Sequence, residues 1–184
     1  MIERVPPQNI EAEQAVIGGM LIEKEAISKV AEFLKADDFY REAHRLIFEA
    51  MLELFNKNEA VDLVTVTEAL RKNDKLEAVG GIAYITSLAN SVPTAANINY
   101  HGKIVEEKAL LRGLINSATH IASMGYEDTE AVADIIDKAE KMILEVSERK
   151  MSGDFVPIKS IIFDAFGKIE QLYASKGGIT GLAT

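Results

Sequence analysis

The stretch from about Asn97 to Lys150 constrains this chain most, because it reads as two long helices turned back on each other. The first, Ile98 to about Met124, carries Ile98, Ile104, Val105, Leu111, Leu114, Ile115, Ala118, Ile121 and Ala122. These recur at three- and four-residue spacing but cover more than one narrow stripe. The second, Glu130 to about Arg149, sets Val132, Ile135, Ile136, Ala139, Met142, Ile143 and Val146 on one face. Between them, Gly125-Tyr126-Glu127-Asp128-Thr129 supplies a glycine stop, with Asp128 or Thr129 as N-cap. A hairpin this long cannot bury so much apolar surface within itself. The sequence therefore predicts a partner, and pairing with a second copy is the simplest closed solution.

The segments before the hairpin read as a compact all-α unit of about five helices over residues 9–92. Asn9 caps a first helix whose opening turn holds Glu11 and Glu13, favourable against the helix dipole. Ile10, Val16, Ile17, Met20 and Leu21 give it a core face. Gly18-Gly19 inside it predicts close backbone packing, since no strand precedes the pair as a nucleotide loop requires. A short helix with Ile27, Val30, Ala31 and Leu34 is broken at Asp37-Asp38. The next runs from about Glu42 to Asn56, with His44, Ile47, Phe48, Met51 and Phe55 on one side. Asp62 caps a helix through Leu63, Val66 and Leu70, despite the β-branched run Val64-Thr65-Val66-Thr67. A connector at 76–81 leads to a short helix with Ile82, Ile85 and Leu88. Beyond the hairpin, Lys150–Asp154 is a link, and Ile158 to Ala174 forms an amphipathic helix before Ser175-Lys176-Gly177-Gly178. The expected division is 1–96, a helical subdomain; 97–150, the hairpin; and 151–184, a linker region with its helix at about 158–174.

No residue pattern points to catalysis. Gly102-Lys103 and Gly167-Lys168 are followed by isoleucine and lack the earlier glycine of a phosphate loop. His44, His101 and His120 are far apart, in no metal-ligand spacing, and read as surface or half-buried residues. The carboxylate pairs Glu11/Glu13, Asp37/Asp38 and Glu106/Glu107 read as solvated helix faces. With no cysteine there is neither disulfide frame nor thiolate chemistry. A net charge of −9 disfavours gripping duplex DNA by neutralising its phosphates and favours protein partners. Leu63–Leu88 superficially resembles a helix-turn-helix with Arg71, Lys72 and Lys75, but its connector is too long and its second helix has no base-reading side chain. No apolar run reaches the ~18–20 residues of a membrane span, and no secretory signal opens the chain, so cytoplasmic residence is expected.

Read together, several stretches resemble the N-terminal region of the bacterial replicative DNA helicases, the DnaB family. These are Pro6-Pro7-Gln8-Asn9-Ile10-Glu11-Ala12-Glu13-Gln14-Ala15-Val16-Ile17-Gly18, then Asp38-Phe39-Tyr40 with His44 and Ile47-Phe48. Val61-Asp62-Leu63-Val64-Thr65-Val66, Gly80-Gly81 with Tyr84, and Pro93-Thr94-Ala95-Ala96-Asn97 with Ile104-Val105-Glu106 follow in order. The closing Ile179-Thr180-Gly181-Leu182-Ala183-Thr184 is similar to the segment that leads into that family's ATPase domain.

The resemblance implies an all-α assembly module of a hexameric ring built as a trimer of dimers. Paired hairpins would supply the self-association face, through Ile104, Leu111, Leu114, Ile136 and Ile143. The linker helix would dock on a neighbouring motor through Ile162, Phe166, Ile169 and Tyr173. A primase would bind by its C-terminal helicase-binding domain at Tyr84, Ile115 and Ile121, with Glu11 as a polar rim contact. Tyr84 leads that group, because an amphipathic aromatic beside a Gly-Gly turn suits an interface. A helicase loader is a further implied partner. Catalytic, metal and cofactor sites are expected to be absent from the stretch itself. ATP and Mg, and most contact with DNA, would belong to a motor domain beyond Thr184. The competing reading is a free-standing all-α adaptor or loader-like protein.

Overall fold

Helix α1 (Ile10–Ile22) is the element that the others surround, because it is apolar on nearly every side. A helix with no polar face has nowhere stable to lie except inside. Ala12, Glu13, Val16, Ile17, Gly18, Gly19, Met20 and Leu21 are all buried. The computed structural model describes residues 5–127 and 131–151, of which 149–151 are described by backbone alone. The described residues form helices without a strand: α1, α2 (Ala26–Ala31), a 3-10 turn (Ala36–Asp38), α3 (Glu42–Asn56), α4 (Leu63–Lys72), α5 (Gly81–Asn90), α6 (Ile98–Glu127) and α7 (Val132–Met151). The protein is all-α, as its periodicity predicts. The linker-helix residues Ile162, Phe166, Ile169 and Tyr173 lie outside the described residues, as does the cap expected from Asp128 or Thr129.

Around α1 pack α6, α5, α3 and α2, while α3 also carries α4 and the 3-10 turn. The core is continuous from Val16, Ile17 and Met20 through Ile27 and Val30 to Phe39, Ile47, Phe48 and Met51. The Phe39 and Phe48 rings meet at 4.7 Å between centroids. The first turns of α6 belong to this core, with Ile98, Val105 and Ala109 buried. The rest of α6 leaves it, and α7 packs along α6.

The local signals hold where the chemistry is local. Asn9 Oδ1 accepts from the Ala12 N–H at 2.9 Å. Asp62 Oδ1 accepts from the Val64 and Thr65 N–H groups, each at 2.9 Å, and Thr65 Oγ1 accepts in return from the Asp62 N–H at 3.0 Å. That reciprocal cap selects helix over strand at Val64–Thr67. The Gly18-Gly19 pair is a close-packing site, against Leu88 and Val92 at the first and Ala95 and Ile98 at the second. Gly125, by contrast, does not stop the helix. Helix α6 runs through it to Glu127, since one internal glycine costs only about 1 kcal/mol.

The Asp62 cap yields a prediction. The backbone hydrogen bond from Thr65, its largest influence, holds the Asp62 carboxyl below the usual aspartate range. A carboxyl depressed on folding stabilises the folded state fully above the unfolded value, about pH 4, and loses that contribution as pH falls through the folded value. Asp62→Ala is expected to cost about 1 kcal/mol in urea unfolding at pH 7. The gap should narrow in acid; a gap constant from pH 7 to pH 2.5 contradicts the assignment.

Candidate interaction surfaces

Where α6 leaves the core, it and α7 bury one seam between them and leave much of their remaining surface exposed. On α6, Leu110, Gly113, Ile121 and Met124 are half-buried and Ser117 is buried; on α7, Ile135, Ala139, Met142 and Val146 are half-buried. The α7 set repeats at three- and four-residue spacing, the pattern of a coiled-coil seam. Beside it runs a second apolar stripe that is exposed among the described residues. Leu111, Leu114, Ile136 and Ile143 are 45%, 44%, 51% and 43% exposed. Leu110, Leu111 and Leu114 meet Ile143 and Val146 around an open groove of about 520 Å³, edged by Glu107 and Ser147. Four of the residues expected for self-association therefore lie on the open surface. Ile104 does not. It is half-buried against the core, because α6 at that point is still inside the globular unit.

Of the residues expected to meet a second partner, Glu11, Tyr84 and Ile115 lie away from that groove, whereas Ile121 belongs to the α6–α7 seam. Glu11 is exposed in the first turn of α1, and Ile121 is half-buried farther along the hairpin. Ile115 is exposed and lines a cleft with Val5, Pro6, Pro7, Tyr40, Arg112 and Asn116. The Arg112 guanidinium organises this cleft, donating to the Pro7 carbonyl at 2.8 Å and to the Asp38 carbonyl. It also lies 5.8 Å from the Tyr40 ring centre. Burial pushes the Arg112 pKa down, with Glu13 and then Tyr40 acting the other way.

Tyr84 stands on α5, whose main neighbours are α1 and α4. Its hydroxyl accepts from Arg41 Nη1 at 3.1 Å. Tyr84, Arg41, Tyr40, Arg112 and Ile115 thus form one strip, joined by the consecutive residues Tyr40 and Arg41.

Behind the strip lies a polar row that spacing does not reveal. Glu13, on α1, accepts from the Tyr40 N–H at 2.7 Å through Oε1. Its Oε2 accepts from the Arg41 N–H at 3.3 Å and meets His44 Nδ1 at 2.7 Å. His44 Nε2 in turn meets the Tyr84 hydroxyl at 2.7 Å. Glu13 and His44 are 1% and 0% exposed, which corrects the expectation of a surface or half-buried histidine and of a solvated Glu13. A faint signal existed: His44 shares its helix face with Ile47, Phe48 and Met51, all fully buried. The other carboxylate pairs behave alike, since Asp38 and Glu106 are buried and Asp37 and Glu107 exposed. Both ring nitrogens of His44 and both oxygens of Glu13 are engaged, so this row orients its neighbours rather than offering a free base.

The cations of the α4–α5 region are partly committed, Lys75 to Glu49 at 2.9 Å and Arg71 to Glu68. No described helix is long and apolar enough to cross a membrane.

Comparison with known proteins places this geometry. The family described as "DnaB-like helicase N terminal domain" matches residues 5–107, more than half of the chain. The chain belongs to that family. It is 52% identical over 182 residues to the replicative DNA helicase DnaC of Bacillus subtilis (strain 168), covering 99% of this chain and 40% of that one. The chain thus spans about two fifths of the length of that relative. Its fold is similar to the N-terminal domain of DnaB helicase from Mycobacterium tuberculosis, with a TM-score of 0.74 and 43% identity over 77% of this chain and 99% of that one. It is also similar to a DnaB-like replicative helicase described with its interactions with primase. There the TM-score is 0.65 at 30% identity, over 95% of this chain and 39% of that one.

Proposed function

We propose that this stretch is the assembly and primase-recruiting module of a hexameric, cytoplasmic replicative DNA helicase. One observation carries the assembly part: the exposed apolar stripe of Leu111, Leu114, Ile136 and Ile143, on the part of the hairpin beyond the first turns of α6 that pack in the core. Such a contiguous apolar face on a soluble chain is the mark of an association surface. Pairing two hairpins about a two-fold axis covers it, and three such pairs close a ring. Recruitment is supported by the similarity to the helicase described with its primase interactions and by the exposed strip from Tyr84 to Ile115. ATP, Mg and most of the grip on DNA belong, on this reading, to a motor domain in the longer protein. A helicase loader would be a further partner of the ring. The linker helix, through Ile162, Phe166, Ile169 and Tyr173, would dock on an adjacent motor.

The experiment is a calorimetric titration of the chain with the C-terminal helicase-binding domain of a primase. Replacing an aromatic or aliphatic anchor at an interface centre commonly costs 2 kcal/mol or more. The double variant Tyr84→Ala, Ile115→Asp is therefore expected to bind at least about 30-fold more weakly. Equal affinity of the variant, checked to be folded by circular dichroism, removes these residues from the contact.

A further inference from the structure

The row Arg41, Tyr84, His44 and Glu13 has a direction. An arginine guanidinium only donates, so the Tyr84 oxygen accepts from it and keeps its own O–H to give. His44 Nε2 lies 2.7 Å from that oxygen, and as the unprotonated nitrogen it takes the O–H. In that tautomer the ring proton is on Nδ1, which faces the acceptor Glu13 Oε2 at 2.7 Å. The arrangement Arg41 to Tyr84 to His44 to Glu13 gives every group a partner within the row. The row ends on a carboxylate that also receives the consecutive N–H groups of Tyr40 and Arg41. Three elements, α1, the start of α3, and α5, meet at these four side chains.

We infer that the buried Glu13–His44 pair is a positioning device for the surface strip between Tyr84 and Ile115. Glu13 fixes the Tyr40–Arg41 backbone directly and, through His44, pins the Tyr84 hydroxyl and with it the Arg41 guanidinium. Tyr84 is half-buried and Arg41 exposed, so the pinned groups stand at the edge of the protein. One Arg41 donor is given to Tyr84, and the exposed remainder of its planar fork suits a carboxylate. With the Tyr40 and Tyr84 rings and Ile115 alongside, the strip fits a partner that presents an apolar side chain next to an acidic one. A partner-facing aromatic held in one rotamer loses less entropy on binding than a free one. This inference rests on the recruitment reading, taking the primase domain as the partner. His44 and Glu13 act in it through Tyr84 and Arg41, not by touching the partner.

The test uses the whole chain labelled with 15N and 13C. In the unaltered protein His44 is expected to carry its proton on Nδ1, and Tyr84 to show a single χ1 rotamer. In His44→Phe the Tyr84 rotamer should average, and affinity for the primase domain should fall about five- to tenfold while the chain stays folded. Tyr84→Phe, which removes only the hydroxyl, is the second variant should His44→Phe not fold. It should shift the His44 Nε2 resonance and produce a similar loss of affinity. A proton on Nε2 alone in the unaltered chain, or undiminished affinity in a folded variant, overturns the inference. Absence of primase binding by the unaltered chain instead defeats the recruitment reading, and the tautomer and rotamer still decide whether the row holds Tyr84.

Discussion

Replacing Leu114 and Ile143 together by aspartate is expected to leave the chain monomeric at concentrations where the unaltered chain associates. Both side chains line the open groove of the hairpin, and both are more than two fifths exposed in the single chain. A polar residue at such a site costs the lone chain little, within about 0.5 kcal/mol. In a two-fold pairing every substitution occurs twice, so four carboxylates would enter one apolar seam. Each would be desolvated with no cation supplied for it, at a cost of at least 1–3 kcal/mol per group. Even at the low end, association weakens by roughly 1,000-fold. Light scattering after size exclusion over a concentration series reads the effect, with thermal unfolding on the same samples. The expected signature is lost mass with an unchanged melting temperature. Ile104→Asp is the contrasting control: it packs against the core, so its damage should appear as a lowered melting temperature. A double variant that associates like the unaltered chain, or an unaltered chain monomeric throughout, refutes the hairpin as the assembly face.

What the sequence made legible follows the range of the interaction concerned. The Asn9 and Asp62 caps are bonds across three residues or fewer, so residue type and position suffice to foresee them. Helix α3 falls at Glu42–Asn56, as expected, because its apolar period is unambiguous. The exposed hairpin stripe was legible as a surplus: more apolar positions than one antiparallel partner can cover. The Glu13–His44–Tyr84 row was not, for its bonds span 31 and 40 residues and appear only once three helices converge. Nor could spacing show that Ile104 faces the core while Leu111, two turns on, faces water, since both lie on one unbroken helix. That depends on where α6 leaves the globular unit, a tertiary fact. Gly125 misled because glycine is a stop signal only where a turn is already favoured, and α6 continues past it.

Two glycine-to-alanine changes are expected to move stability in opposite directions, and Gly18 carries the larger effect. Helix propensity alone favours alanine at either site by about 0.5–1 kcal/mol. At Gly18, however, the added methyl would lie 2.4 Å from the Leu88 carbonyl oxygen and 2.8 Å from Val92 Cγ2. A carbonyl oxygen cannot rotate aside as a side-chain tip can. Relief requires α1 and α5 to move apart at a point where Ile17, Ile85 and Leu88 are at most 1% exposed. Overpacking of this kind costs typically 1–3 kcal/mol, and more where the backbone must shift. The clash therefore outweighs the propensity gain. Gly18→Ala should lower the melting temperature by roughly 2–8 °C, taking about 2–4 °C per kcal/mol for a chain of this size. At Gly125 a methyl meets nothing within 4 Å, so propensity is the only term, and Gly125→Ala should leave the melting temperature level or raise it by up to about 4 °C. A stabilised Gly18→Ala would mean that α5 yields easily, and that the contact between α1 and α5 is looser than the placement of Leu88 against Gly18 requires.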